Sequence, residues 1–243
     1  MTMEEYLSNP MGKGSAVPMS GQIKSALDAQ YNELRGKIIC NWYLYKNDSL
    51  VAVLKIPSRS VDLFYDVIVE FDLKSIPKEK NLTNFCNFRV FSNCPSFVFT
   101  YAYTFYKKNL LCKWAMSKYS NEVLSQSPDI RNQYQIINFE RSLYFAFKYL
   151  SGSGRNNIRV LMSTASKEDN YTTMLRWVVT SDEILERYQY EKDKERRKKE
   201  KNSKREKVPI KKLEKGDFRD RTNRSNKAKK TKSTKNTKKA KKI

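Results

Sequence analysis

The chain has 243 residues, 48 Lys and Arg against 26 Asp and Glu, a net charge of +22, and no histidine. The missing histidine excludes Ser-His-Asp and Cys-His catalysis, and because Cys40, Cys86, Cys94 and Cys112 also form no Cys-x-x-Cys pair the usual structural zinc sets are not expected; the four read as buried reduced thiols. No apolar run approaches the roughly 20 residues that cross a bilayer, and Met1 to Pro18 lacks the basic start and apolar stretch of a signal peptide, so secretion by that route is not expected.

Residues 1–20 hold Pro10, Gly12, Gly14 and Pro18 among small and polar residues, which predicts an extended arm. From Ser20 the spacing of Ile23, Leu27, Tyr31 and Leu34 predicts an amphipathic helix ending near Gly36. Lys37–Tyr45 and Leu50–Ile56 are β-rich runs across the turn-forming set Lys46-Asn47-Asp48-Ser49, a hairpin signal. Leu63–Leu73 alternates Val67, Val69, Phe71 and Leu73 with Asp66, Ile68, Glu70 and Asp72, the period of a strand with one wet face. Phe85–Phe91 and Phe97–Phe105 predict a further strand pair, with Phe97, Phe99, Tyr101, Tyr103 and Phe105 as sheet core.

Helical spacing returns at Leu110, Leu111, Trp114 and Ala115, and again from Ile136 to Leu150. Strands are expected at Asn157–Met162 and Tyr171–Val179. Thr180-Ser181-Asp182-Glu183 resembles a capping box that opens a charged helix over Glu186–Arg205. The expected class is α+β: an antiparallel sheet of about five to seven strands with three or so helices, then a charged helix and a disordered basic tail. The expected organisation is an arm over 1–20, a globular domain over 21–185, and a charged helix with a Lys-rich tail over 186–243.

The charge is segregated. Residues 1–185 hold 22 basic and 17 acidic residues, whereas 186–243 hold 26 and 9, so most of the excess lies in under a quarter of the chain. That stretch is too poor in apolar residues to offset the entropy of ordering. Each Lys or Arg that neutralises a phosphate releases a condensed counterion, so this density of charge suits DNA or RNA with little sequence preference and steep salt dependence. The residues expected to make the contact are Arg224, Lys227, Lys229, Lys230, Lys232, Lys235, Lys238, Lys239, Lys241 and Lys242, a stretch without acidic residues. No aromatic residue there offers the base stacking that would favour single strands, and DNA is expected ahead of RNA. A solvated tail that only aids solubility is the bland reading; an anionic membrane surface is a third, without the apolar anchor it would need.

The enzymatic alternative is a Mg²⁺-dependent nuclease. Glu70, Asp72 and Lys74 share one face of a strand, with Asp62 or Asp66 upstream, and together they resemble the Asp…Asp/Glu-x-Lys set of metal-dependent nucleases. Alternating charge on a wet strand face produces the same pattern. Gly12-Lys13-Gly14-Ser15 resembles a phosphate-binding loop but lacks the earlier glycine and a preceding strand. No cofactor and no metal site is called for.

The segment Tyr6–Ile23, with Asn-Pro-Met-Gly-Lys-Gly-Ser inside it, resembles the arms that begin small virion proteins of AT-rich tailed phages, including crAss-like phages. The resemblance implies a non-enzymatic virion structural or assembly protein, located in the virion or in host cytoplasm during assembly, with other virion proteins or itself as partners and a basic tail toward packaged DNA. A free-standing DNA- or RNA-binding protein is the other class.

Overall fold

A computed structural model describes residues 1–8, 21–74, 76, 80–127, 132, 135, 137, 139–152 and 155–206. The chain divides into two compact units, Met1–Glu195 and Arg196–Ile243. In the first unit, helices α1 (Met3–Ser8) and α2 (Gly21–Leu34) lead into the hairpin β1 (Ile39–Tyr45) and β2 (Ser49–Pro57), then β3 (Phe64–Asp72). Next come α3 (Leu82–Phe85), β4 (Phe88–Ser92), α4 (Pro95–Thr100), α5 (Ala102–Lys107) and a 3-10 turn at Lys113–Lys118. Helices α6 (Asn121–Ser125), α7 (Arg141–Leu150) and α8 (Ile158–Thr164), strand β5 (Ser166–Glu168) and helix α9 (Tyr171–Leu175) precede α10 (Ser181–Glu206).

The architecture is α+β around a five-stranded sheet of order β4-β3-β2-β1-β5. The β1–β2, β2–β3 and β3–β4 ladders are antiparallel, with Val53 opposite both Asn41 and Ile68, but β5 joins β1 in parallel, Leu44 opposite Lys167. The sheet is therefore mixed, not wholly antiparallel. Local chemistry closes the hairpin across residues 46–48: Lys46 and Asn47 both take positive φ (49° and 61°), the conformation that matches the twist of paired strands, and Asp48 N donates to Tyr45 O at 3.2 Å.

On one face Val67, Val69 and Phe71 are buried with Phe88 and Val90, and α7 packs over them. Tyr6, Phe88 and Phe147 form an aromatic knot: the Tyr6 ring centre lies 4.9 Å from that of Phe147 and 6.1 Å from that of Phe88, and those two are 4.8 Å apart. Tyr6 comes from α1, which corrects the extended arm over its first eight residues. Thr2 and Glu5 make a reciprocal cap, Glu5 N–H to Thr2 Oγ1 at 3.2 Å and Thr2 N–H to Glu5 Oε2 at 2.8 Å, and this turn delivers Met3 and Tyr6 to the core, both with 0% exposure. Residues 9–20 lie outside the described residues.

Four further expectations are overturned. Phe97–Phe105 is helical: a period-2 row contains every fourth residue, so Phe97, Tyr101 and Phe105 also form a helical stripe, and Pro95 at the first turn of α4 starts the helix. Phe97 and Phe105 are buried, their rings 5.2 Å apart, while Phe99 faces outward. Asn157–Met162 and Tyr171–Val179 are not strands, because Asn157 Oδ1 accepts Val160 N–H at 3.1 Å and Asn170 Oδ1 accepts Thr172 N–H at 2.9 Å, side-chain caps that open α8 and α9. The residues at 110–115 form no α-helix; Leu111 bridges to Val90 and a 3-10 turn follows.

Tyr6 also accepts the Glu140 N–H through its hydroxyl at 3.1 Å. Tyr6→Ala is expected to cost about 3–5 kcal/mol, as for other large buried aromatics, in urea unfolding followed by tryptophan fluorescence. An unchanged midpoint would mean that α1 does not belong to the core.

Candidate nucleic-acid interface and the cluster at its root

Helix α10 starts on the domain. The Glu183 N–H donates to Thr180 Oγ1 at 3.2 Å, Ser181 and Ile184 are buried, and the Ser120 N–H donates to Ser181 Oγ at 3.2 Å. Asp182 and Glu183 in its first turn complement the positive helix end. Tyr188 still packs against the core, and beyond it the helix is held by its own charges, Glu191 with Lys194 at 3.0 Å and Arg196 with Glu200 at 4.0 Å, while Glu183 pairs with Arg187 in its first turns. Exposed pairs of this kind contribute about 0.3–0.5 kcal/mol each. Lys192, Lys194, Arg197, Lys198, Lys199 and Lys201 are exposed. The tail residues expected to contact nucleic acid, Arg224 through Lys242, lie outside the described residues.

The approach to α10 is fixed by a buried carboxylate. Asp66 on β3 is 1% exposed, and the Lys55 ammonium from β2 lies against its Oδ1, which has no other donor. Its Oδ2 accepts the Val179 N–H at 2.8 Å and Asn93 Nδ2 at 3.1 Å. Asn93 completes the node: it donates to Val179 O at 3.0 Å and accepts the Asp66 N–H at 2.8 Å. Lys55 also donates to Trp177 O at 2.8 Å. The segment 177–179 is thereby tied to β2, β3 and the turn after β4.

This corrects the expected wet face of β3. Asp66, Ile68 and Glu70 are buried beneath Val179 and Trp114, and Trp114 Nε1 donates to Glu70 Oε2 at 3.0 Å. Burial raises the Glu70 pKa above the ordinary carboxylate value, and the indole hydrogen bond works against that rise. The nuclease-like residues are dispersed. Asp66 and Glu70 are committed to the hydrogen bonds above, Asp72 accepts the Lys74 N–H at 2.9 Å, Lys74 Nζ pairs with Asp48 at 3.5 Å, and Asp62 sits exposed in the connection before β3. Among the described residues no three His, Cys, Asp or Glu side chains are grouped to hold a metal ion. Gly12-Lys13-Gly14-Ser15 lies outside the described residues.

All four cysteines are free, three of them buried. Burial pushes the Cys40 thiol up to about 12 and Cys86 to about 11, which keeps both protonated and weakly nucleophilic at neutral pH. Beside the first turns of α10 lies a groove of about 700 Å³, where Ile39, Phe64 and Tyr190 are exposed and Asp62, Glu186 and Glu191 add negative charge. No periodicity announced it, because its walls come from β1, β3 and α10. Among the described residues no helix is long and apolar enough to cross a membrane. No protein family, curated protein or solved structure matches the chain.

Removing one partner of a buried, hydrogen-bonded ion pair costs about 3–5 kcal/mol. Asp66→Ala should lose stability on that scale in denaturant unfolding and expose the Val179 amide to hydrogen exchange; a loss under about 1 kcal/mol would contradict the node. Glu70 behaves oppositely. Its folded pKa lies above the unfolded one, so the folded state binds the extra proton and stability falls as pH rises from the ordinary carboxylate value through the folded pKa. Glu70→Gln, measured by thermal melts from about pH 4 to 8, should abolish that fall and equal or exceed the native chain at neutral pH. A variant with the native pH profile would disprove it.

Proposed function

We propose that this chain is a non-enzymatic structural or assembly protein of a tailed-phage virion, making protein contacts through its domain and contacting nucleic acid through its basic C-terminal part. The observation that carries the nucleic-acid half is the charge segregation: residues 186–243 hold 26 basic against 9 acidic residues, on and beyond a helix whose root is tied into the sheet. The basic side chains exposed along α10, from Lys192 to Lys201, stand in solvent where phosphates can reach them. Duplex suits the last twenty residues better than single strands, since they carry no aromatic side chain.

The virion half is supported by the resemblance of Tyr6–Ile23 to phage virion arms, in which Tyr6 itself is a core residue of α1 and Ile23 lies in α2, and by the use of Asp66, Glu70 and Lys74 in structural bonds. The exposed Ile39, Phe64 and Tyr190, which line one groove, favour an assembling protein over a free-standing nucleic-acid binder, because large apolar side chains clustered in solvent are the usual substance of protein contacts. In light scattering an assembling protein forms an oligomer or a defined complex, whereas a free-standing binder stays monomeric or dimeric.

Every buried apolar residue among those described precedes position 185, so residues 1–195 retain the core. Duplex DNA binding by the full chain and by residues 1–195 across a salt series should show affinity falling steeply with salt for the full chain, and binding weaker by about 100-fold or more for the truncated one at low salt. Equal binding by both would refute the tail reading and move the contact to the domain.

A further inference from the structure

The end of β2, the starts of α4 and α7, and Tyr188 of α10 enclose a second pocket of about 220 Å³. Arg141, the first residue of α7, stands in its wall with its guanidinium 5.1 Å from the Phe145 ring centre. Its Nε and Nη2 are buried and have no hydrogen-bond partner. These two nitrogens form one edge of the guanidinium, the edge that grips an oxyanion side-on with two parallel hydrogen bonds. Buried donors in native proteins are nearly always paired, so a whole unpaired fork points to an acceptor from outside the chain.

The nearest carboxylate does not fill it. Glu140 Oε2 accepts from the Ser142 hydroxyl and from the Leu143 N–H at 2.9 Å, and its Oε1 accepts from Cys94 Sγ at 3.5 Å. Arg59 lies close enough for its charge to act on Arg141, so two cations face one carboxylate. Ser60, Ser96 and Tyr188, each carrying a hydroxyl, line the same pocket. A planar carboxylate would be satisfied by the fork alone, whereas a tetrahedral oxyanion uses donors on several sides.

We propose that this pocket binds a phosphate group, held side-on by the Arg141 fork and hydrogen-bonded by Ser60, Ser96 and Tyr188. The group enters past Arg59 and Ser60, both exposed in the connection from β2 to β3. The site lies in the Met1–Glu195 unit and does not depend on the tail.

The test titrates inorganic phosphate into the full chain, Arg141→Met and Arg141→Lys by calorimetry at constant ionic strength. The native chain should give saturable one-site binding, with Arg141→Met and Arg141→Lys each weaker by about tenfold or more, because methionine removes the charge and lysine the fork. Without phosphate, Arg141→Met should melt at or above the native temperature, since it keeps the packing on Phe145 and deletes an unpaired buried charge; the lysine variant serves if it does not fold. Identical isotherms for the three chains, whether flat or saturable, would overturn the site and reduce the partner of Arg141 to water. A short duplex then separates the sources. Duplex binding weakened about tenfold in residues 1–195 carrying Arg141→Met identifies a nucleic-acid backbone phosphate, and unchanged duplex binding a free phosphate or phosphomonoester. Failure of this titration leaves the tail reading untouched, and failure of the salt series leaves this site untouched.

Discussion

The Asp66 carboxylate, buried on the covered face of β3, is the constraint on which the rest of the first unit turns. A carboxylate removed from water is tolerated when a cation and hydrogen-bond donors surround it, and here the donors come from distant parts of the chain. Lys55 arrives from the neighbouring strand, Asn93 from the turn after β4, and the Val179 N–H from 113 residues downstream. Satisfying one residue therefore closes β2, β3 and β4 and seats the segment that starts α10. The helix that begins the basic region inherits its position from that requirement.

The two faces of the sheet are held by different physics. On one, Tyr6, Phe88 and Phe147 interlock edge to face and recruit the N-terminus, so shape and apolar burial set the packing. On the other, Asp66 and Glu70 demand named partners in Lys55, Asn93, Val179 and Trp114, and specificity comes from hydrogen bonds. The polar face, covered by short, irregular segments, accommodates the groove beside Ile39 and Tyr190.

What was legible in the sequence was local. The hairpin turn at Lys46-Asn47, the strand at β3 though not its wet face, the stripe of α2 and the Thr180–Glu183 cap each follow from residues within a few positions of one another. Where two local readings competed, the pattern misled: the row from Phe97 to Phe105 satisfies a strand and a helix together, and Asn157 and Asn170 act as helix caps within runs rich in β-branched residues. The Thr2–Glu5 cap was readable and lost to the glycines and prolines after it. The parallel three-residue β5, the Asp66 node and the unpaired fork of Arg141 depend on partners far along the chain, which no spacing rule reports.

If nucleic acid lies against the basic C-terminal part and leaves the sheet faces to packing, the lysines that a bound duplex touches are those of α10 and the tail. Cross-linking the full chain to duplex DNA at low salt and mapping the modified lysines by mass spectrometry reads this out residue by residue. Adducts should concentrate from Lys192 to Lys242, with Lys37, Lys74 and Lys107 of the domain near background. Adducts concentrated on those domain lysines, with the C-terminal ones unmodified, would refute the tail as the contact.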